Sequence, residues 1–375
     1  MNVLVTGGAG FIGSSLARRL IREGCRVTIL DNFSPQVHGG SRDLPPDLVH
    51  DVRLVVGDVR DENAVARALR DQEVVVHLAA ETGTGQSMYE VARYEDVNVH
   101  GTAVLIECLV KCRPKSLERI VLASSRAVYG EGQYQCKTHG QVFPEARELD
   151  AMKDGRFEPL CPHCRSAVTA VPTREDCPLR PSSFYGLTKQ MQEQMILLFA
   201  EALGISTLVL RYQNVYGPGQ SLRNPYTGIL AIFTNLAKEN LPIKVFEDGL
   251  ESRDFVYIDD VVDATWRAIS DEAPRVEILN VGSGDRVTIL EVVQAVLQFF
   301  SSSSPVSVTG AFRQGDVRHS LADIERIRNV LKYEPRLKFS QGVTHFLAWV
   351  ASQSPRAAGY EESLQEMRNR GFYHG

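Results

Sequence analysis

Two groups of side chains in this sequence carry chemistry by type and spacing. The first lies in Pro181-Ser182-Ser183-Phe184-Tyr185-Gly186-Leu187-Thr188-Lys189, which sets a tyrosine and a lysine one helical turn apart on one face. A free phenol titrates near 10 and is a poor base at neutral pH. Lowering it by about three units takes roughly 4 kcal/mol, within reach of nearby positive charge in a dry site. Ser125, at the end of the apolar run 119–123, offers a second hydroxyl for the same substrate oxygen. Ser125, Tyr185 and Lys189 are therefore the expected catalytic residues. The second group is Cys136-x-x-His139 and Cys161-x-x-Cys164, with residues 140–160 between the pairs. Two-residue spacing lets both members of a pair reach one tetrahedral ion, so a structural zinc is expected. His163 and Cys177 are alternative ligands with poorer spacing. Four protein ligands leave no open position, so such a metal orders the chain and leaves the redox chemistry elsewhere.

These groups need a scaffold, and the N-terminal residues describe one. Asn2-Val3-Leu4-Val5 reads as a buried parallel strand, Thr6-Gly7-Gly8-Ala9-Gly10-Phe11-Ile12-Gly13 as a turn, and 14–24 as an amphipathic helix stopped by Gly24. Gly7, Gly10 and Gly13 in that context allow a tight turn, close approach of a pyrophosphate, and packing of helix on strand. The helix N-terminus then faces the phosphate charge. The next strand-like run, 26–30, ends in Asp31, where a carboxylate meets the ribose hydroxyls and repels a 2′-phosphate. The expected cofactor is NAD rather than NADP.

Further strand-like runs at 52–56, 74–78, 119–123 and 206–210 alternate with helical patterns, including 98–112 and the stretch after Pro181. That alternation predicts an α/β fold, a Rossmann-type doubly wound parallel sheet with a smaller α/β lobe. Residues 1–210 form the expected NAD-binding domain, interrupted by a Cys/His-rich insertion at 131–180. Residues 211–375 form the substrate lobe, with 253–265 returning to the first domain. The insertion has little apolar periodicity, and a loop of that length is uncommon without a function or a staple of its own. The polar tail past Ser354 is expected to be peripheral.

With these residues in view, the chain resembles the extended short-chain dehydrogenase/reductase family, especially its nucleotide-sugar epimerases and dehydratases. The resemblance is carried by 6–13, Asp31, Gly57-Asp58-Val59, His77-Leu78-Ala79-Ala80, Asn98, and Ser124-Ser125-Arg126-Ala127-Val128-Tyr129-Gly130. It continues through Tyr185 with Lys189, Arg211-Tyr212-Gln213-Asn214-Val215-Tyr216-Gly217-Pro218, Arg253-Asp254-Phe255 and Arg313-Gln314-Gly315-Asp316. The resemblance implies that Gly7, Gly10, Phe11, Ile12, Gly13, Asp31 and Asn32 hold NAD. It adds Asp58 and Val59 at the adenine, then Leu78, Ala79, Ala80, Asn98, Ser124, Tyr185, Lys189 and Tyr212. It also implies that Glu81, Ser125, Arg126 and Gln213 face the sugar, while Asn214, Arg253 and Arg313 hold the diphosphate. Two guanidiniums and an amide suit that dianion.

Dehydratases of the family carry an Asp-Glu pair after the catalytic Ser/Thr; Arg126-Ala127 stands there in this chain, which disfavours dehydration. What remains is redox-neutral inversion at C4 through a 4-keto sugar. The insertion, with Glu81 and Gly85-Gln86-Ser87-Met88-Tyr89-Glu90, is similar to that of dTDP-L-rhamnose 4-epimerases, which make dTDP-6-deoxy-L-talose. The competing readings are a UDP-hexose or UDP-N-acetylhexosamine 4-epimerase, a 4-ketosugar reductase, and a non-catalytic NAD-sensing protein. A homodimer through helices 98–112 and 185–203 is implied by the resemblance, and Arg126 is expected to pair with Glu81 or a sugar hydroxyl.

Composition narrows the partners. With 41 basic and 46 acidic residues among 375, the net charge of −5 offers no nucleic-acid surface. No apolar run approaches the roughly 20 residues of a membrane span, so no membrane partner is expected. A core strand at the first residues leaves no room for a signal peptide, and the seven cysteines are expected to stay reduced in the cytoplasm.

Overall fold

The computed structural model describes all residues except 113–115, 223, 225, 227 and 354–358. Its main elements are β1 (Asn2–Thr6), α1 (Phe11–Arg22), β2 (Arg26–Asp31), β3 (Val52–Val56), α2 (Glu62–Ala68), β4 (Val74–His77) and α3 (Gly101–Cys112). They continue with β5 (Arg119–Ser125), α4 (Phe184–Leu203), β6 (Ser206–Tyr212), α5 (Ile258–Ile269) and β7 (Val276–Val281). The seven strands form a parallel sheet in the order β7-β6-β5-β4-β1-β2-β3. This is a Rossmann-type sheet, and the strand order reverses between β1 and β4.

Its strands read as near-continuous apolar runs because helices cover both faces. Alternation along β1 shows how: Val3 and Val5 join one core cluster, with residues of α1 and α5. Leu4 points the other way, into the cluster built from α2 and α3. Ligands of such sheets sit at the carboxyl ends of the strands, beside the reversal.

Three parts differ from expectation. β7 lies within the segment assigned to the second lobe, yet it pairs with β6 and completes the large sheet. The helix expected at 98–112 begins earlier, at Val91, and passes through a wide π-helical turn at Glu95–His100 before α3. The tail is not peripheral: the strand Tyr373–His374 pairs with Phe312–Arg313, and Leu364, Met367 and Tyr373 are buried with Phe246 and Ala311. Residues 354–358 of that tail lie outside the described residues.

The insertion folds as a small three-stranded antiparallel sheet of Tyr134–Cys136, Gly140–Val142 and Thr169–Ala170. The buried centre of this small sheet is Tyr134, Cys136, Val142 and Cys161, with Val168 and Ala170 packed against it.

Candidate active site

A continuous cleft of about 500 Å³ runs from the glycine turn, across the ends of β1, β4, β5 and β6, into the second lobe. At one end stand Gly7, Gly10, Phe11, Ile12, Gly13, Asp31, Asn32 and Val59. The glycines of the turn are demanded by its close backbone packing. Gly7 has φ +68°, and a Cβ on it would lie 2.9 Å from the Ala79 backbone; a Cβ on Gly13 would overlap the Gly7 carbonyl. Asp31 accepts from the Ala9 N–H at 3.0 Å and the Phe33 N–H at 2.8 Å, which fixes its carboxylate at the β2 exit.

Leu78, Ala79, Ala80, Ser124, Tyr185, Lys189 and Tyr212 continue the wall. The Ser124 hydroxyl is spent on Glu193, and the Tyr212 hydroxyl meets Thr265 at 2.7 Å.

Two residues expected at the cofactor, Asn98 and Asp58, are not among those lining the cleft. Asn98 is fully buried in the π-helical turn; its amide accepts from the Glu81 N–H at 2.8 Å and donates to the Thr188 hydroxyl at 2.9 Å. It orders the loop after β4 instead of lining the cleft. The Asp58 carboxylate is taken by Arg60 and Asn32, both at 2.8 Å, and these hold it down at about 2.

The middle of the cleft holds the reactive groups. Ser183 caps α4 by accepting from the Gly186 N–H, which places Tyr185 and Lys189 in the first turns facing β5. Burial holds the Tyr185 phenol above its ordinary value, opposed by a hydrogen bond with Ser125 and by the Arg126 charge. Lys189 donates to the Ala123 carbonyl at 2.9 Å, and burial pushes its ammonium down to about 7. Arg126 is thus a cation facing Tyr185 in addition to Lys189, one turn further along α4.

The expected Arg126–Glu81 pair is absent, because Glu81 is held by Arg93 at 2.9 Å. Arg126 lines the cleft with no hydrogen bond or ion pair among the described residues, and burial beside Arg253 pushes it down to about 9. Gln213 also lines the cleft, its amide oxygen accepting from Ser320 at 3.0 Å.

The far end carries Asn214, Arg253 and Arg313. The Asn214 side-chain oxygen is buried without a partner. Arg253 donates to the carbonyls of Ser252 at 2.8 Å and Arg318 at 3.0 Å, with no carboxylate paired to it among the described residues. Arg313 pairs with Asp316 at 2.8 Å and lies over the Phe246 ring, 5.5 Å from its centroid.

Sequence reasoning missed Phe246, Glu247, Glu251 and Tyr360, all of which line this end. The acidic run Glu247-Asp248-Gly249-Leu250-Glu251 looks like a solvated turn, and its only signal was its position just ahead of Arg253.

Away from the cleft, the four expected metal ligands converge. The ligand atoms of Cys136, His139, Cys161 and Cys164 all lie within 4.8 Å of one another. The His163 ring lies 5.1 Å from that of His139, tilted to it and outside the cluster, and Cys177 is buried instead beside Val128 and Tyr129.

The chain matches the model of the NAD dependent epimerase/dehydratase family over residues 3–148 and 163–282. It belongs to that family. It is 39% identical to dTDP-L-rhamnose 4-epimerase of Burkholderia thailandensis, over 94% of this chain and 96% of that one. A putative UDP-glucose 4-epimerase of Methanocaldococcus jannaschii is 29% identical over 94% of this chain and 99% of its own. Among solved structures, UDP-glucose 4-epimerase of Thermotoga maritima with UDP-glucose superposes with a TM-score of 0.75 at 28% identity, covering 94% and 99% of the two chains. UDP-N-acetylglucosamine 4-epimerase of Methanobrevibacter ruminantium, in complex with UDP-N-acetylmuramic acid, gives 0.76 at 27% identity, with the same coverage.

Proposed function

We propose that this protein inverts C4 of a nucleotide sugar, with dTDP-L-rhamnose and dTDP-6-deoxy-L-talose as the substrate pair. The observation that carries the reading is the Ser125–Tyr185–Lys189 group at mid-cleft, with Arg126, not a carboxylate, as the next residue facing it. The identity with a dTDP-L-rhamnose 4-epimerase supports the choice of sugar and base.

NAD, bound along the glycine turn, supplies the acceptor and donor of hydride. Tyr185 Oη takes the proton of the C4 hydroxyl and later returns it, while Ser125 Oγ holds the same oxygen. Lys189, anchored on Ala123, steadies the start of α4. Asn214, Arg253 and Arg313 hold the diphosphate, leaving the sugar free to present either face. Incubation with dTDP-L-rhamnose and with UDP-hexoses, products read by NMR, tests this. C4 inversion of the dTDP sugar without net cofactor use is the expected result. Stoichiometric NADPH oxidation would replace it with the reductase reading.

The second cluster supports a structural zinc. Tetrahedral zinc with Zn–S near 2.3 Å and Zn–N near 2.0–2.1 Å sets ligand-to-ligand edges of about 3.8 Å for S···S and about 3.6 Å for S···N. Cys136 Sγ lies 3.8 Å from Cys164 Sγ and 3.8 Å from His139 Nδ1, and Cys161 Sγ lies 3.6 Å from His139 Nδ1. Unpaired cysteines throughout suit a reducing compartment, which supports the cytoplasm. Exposed Val110 on α3 and Leu187, Met191, Leu198 and Phe199 on α4 support a homodimer through those helices.

A further inference from the structure

The insertion meets the second lobe through buried charge rather than through apolar surface. Arg147, which lies between the two metal-ligand pairs, has a side chain only 4% exposed. Its guanidinium is 3.0 Å from Glu131 and 2.8 Å from Glu247, and it donates to the carbonyls of Phe157 at 3.2 Å and Asp316 at 2.8 Å. Arg318, fully buried, takes the other Glu247 oxygen at 2.8 Å and reaches Asp248 at 2.7 Å and Glu158 at 2.7 Å. Glu131, Arg147 and Glu158 all come from the insertion, and Glu158 lies in the stretch 149–162 that the family model leaves unmatched.

Glu247 is the unusual member. Its φ is +49°, a region that favours glycine, and its carboxylate is 5% exposed. A buried side chain keeps such a backbone only where its surroundings over-determine it. Here two guanidiniums grip it. Next to it, Phe246 lines the cleft beneath the Arg313 guanidinium. The carbonyl of Asp316 is held by Arg147, while its carboxylate pairs with Arg313. Both surfaces that aim Arg313 therefore hang from Arg147.

We infer that Arg147 and Glu247 are positioning residues through which the insertion clamps the diphosphate end of the cleft. Arg147 holds Glu247 and the Asp316 carbonyl at fixed separation; Phe246 and Asp316 then present Arg313 to the phosphates. The identity of the ligand rests on the nucleotide-sugar reading above, whereas the clamp itself rests on the charge network. A lysine at 147 would keep the positive charge but could not span these partners, because an ammonium is a point donor and a guanidinium a planar fork.

The test is Arg147→Lys, with Glu247→Gln as the second variant, in the full-length protein with its NAD. Titration with dTDP and with UDP, and KM for the nucleotide sugar, read the clamp. Arg147→Lys should weaken nucleotide binding and raise KM by about tenfold, the equivalent of one well-aimed contact. Its kcat should stay within about threefold, and its NAD content should equal that of the wild type. Glu247→Gln should shift KM in the same direction.

Folded Arg147→Lys with wild-type nucleotide affinity, or lowered Tm with unchanged KM, overturns the clamp. Should Arg147→Lys fail to fold, an unchanged KM in Glu247→Gln overturns it instead. Stripping metal with a chelator should reproduce the KM rise in the wild type and add nothing in Arg147→Lys; additive effects count against the coupling. If the protein holds no metal, the zinc reading falls while the two variants still decide the clamp. If neither nucleotide binds the wild type, the nucleotide-sugar reading itself is overturned.

Discussion

Replacing Cys161 by serine removes one corner of the cluster, and the structure sets the size of the effect. The buried centre of the small sheet is Tyr134, Cys136, Val142 and Cys161, so two of its four members are themselves expected ligands. Burying Tyr134 and Val142 contributes only about 1.5–3 kcal/mol each. Ordering each residue costs about 1–2 kcal/mol of backbone entropy, so those two side chains offset only a handful of residues. Zinc, at an apparent 10–16 kcal/mol in comparable peptides, would cover the hairpins around Cys136 and Cys161.

The wild-type protein should therefore carry about one zinc per chain, measured by elemental analysis, and Cys161→Ser should carry almost none. Amide exchange should show protection across Tyr134–Cys136 and Gly140–Val142 falling by at least about a thousandfold, equivalent to about 4 kcal/mol. The large sheet has its own core and should keep its protection. Hairpins that exchange as slowly in metal-free protein as in protein carrying zinc would refute the reasoning.

Three further outcomes follow from the cleft. Tyr185→Phe should lower turnover by about two orders of magnitude or more while bound NAD per chain is unchanged; near-normal turnover would remove Tyr185 as the base. Arg126→Met should raise the phenol's proton affinity, because Arg126 is a cation pulling it down, so the acid limb of the kcat/KM profile should move to higher pH. An unmoved limb would separate Arg126 from Tyr185. Glu251 lines the Arg253–Arg313 end of the cleft with one oxygen buried and without a hydrogen bond, 3.8 Å from the Arg318 guanidinium; burial and Glu247 push its carboxyl up to about 7, against Arg253 and Arg318. It is neutral below that pH and repels the diphosphate above it, so KM should rise severalfold from pH 6 to 8. Glu251→Gln should flatten that rise, and a wild-type profile already flat would discard the role.

What the sequence made legible was local. The β1–glycine–α1 unit and the capped start of α4 are fixed by residues within a turn or two of each other. The convergence of Cys136, His139, Cys161 and Cys164 was legible for the same reason, since each pair closes through a tight turn. Long-range partners were not. Nothing near Glu81 says that Arg93 will claim it before Arg126 does. Asn98 looks like a cleft residue until the π-helical turn draws it behind the wall. Glu247 runs against local preference, and partners distant in sequence hold its backbone conformation: two arginines on its carboxylate and the Ala311 carbonyl on its N–H.

The route of the chain explains why the insertion should govern binding more than chemistry. It leaves β5 at Ser125 and returns at Ser183, so both ends lie in the reaction centre. Those ends are locked independently of its interior. Gly130, at φ +64°, sits so close to the Arg180 carbonyl that a Cβ would overlap it, and Gly186 is equally tight against the Ala127 carbonyl. These contacts fix Ser125 and Tyr185 together whether or not the hairpins beyond Gly130 are ordered. Arg147 and Glu158, by contrast, lie inside the insertion and reach the second lobe only when it is folded. Disorder there should leave the Ser125–Tyr185 geometry in place and release Arg313. That asymmetry is why the effect belongs in KM, with kcat nearly preserved, and why a large kcat loss on metal removal would contradict this division of the fold.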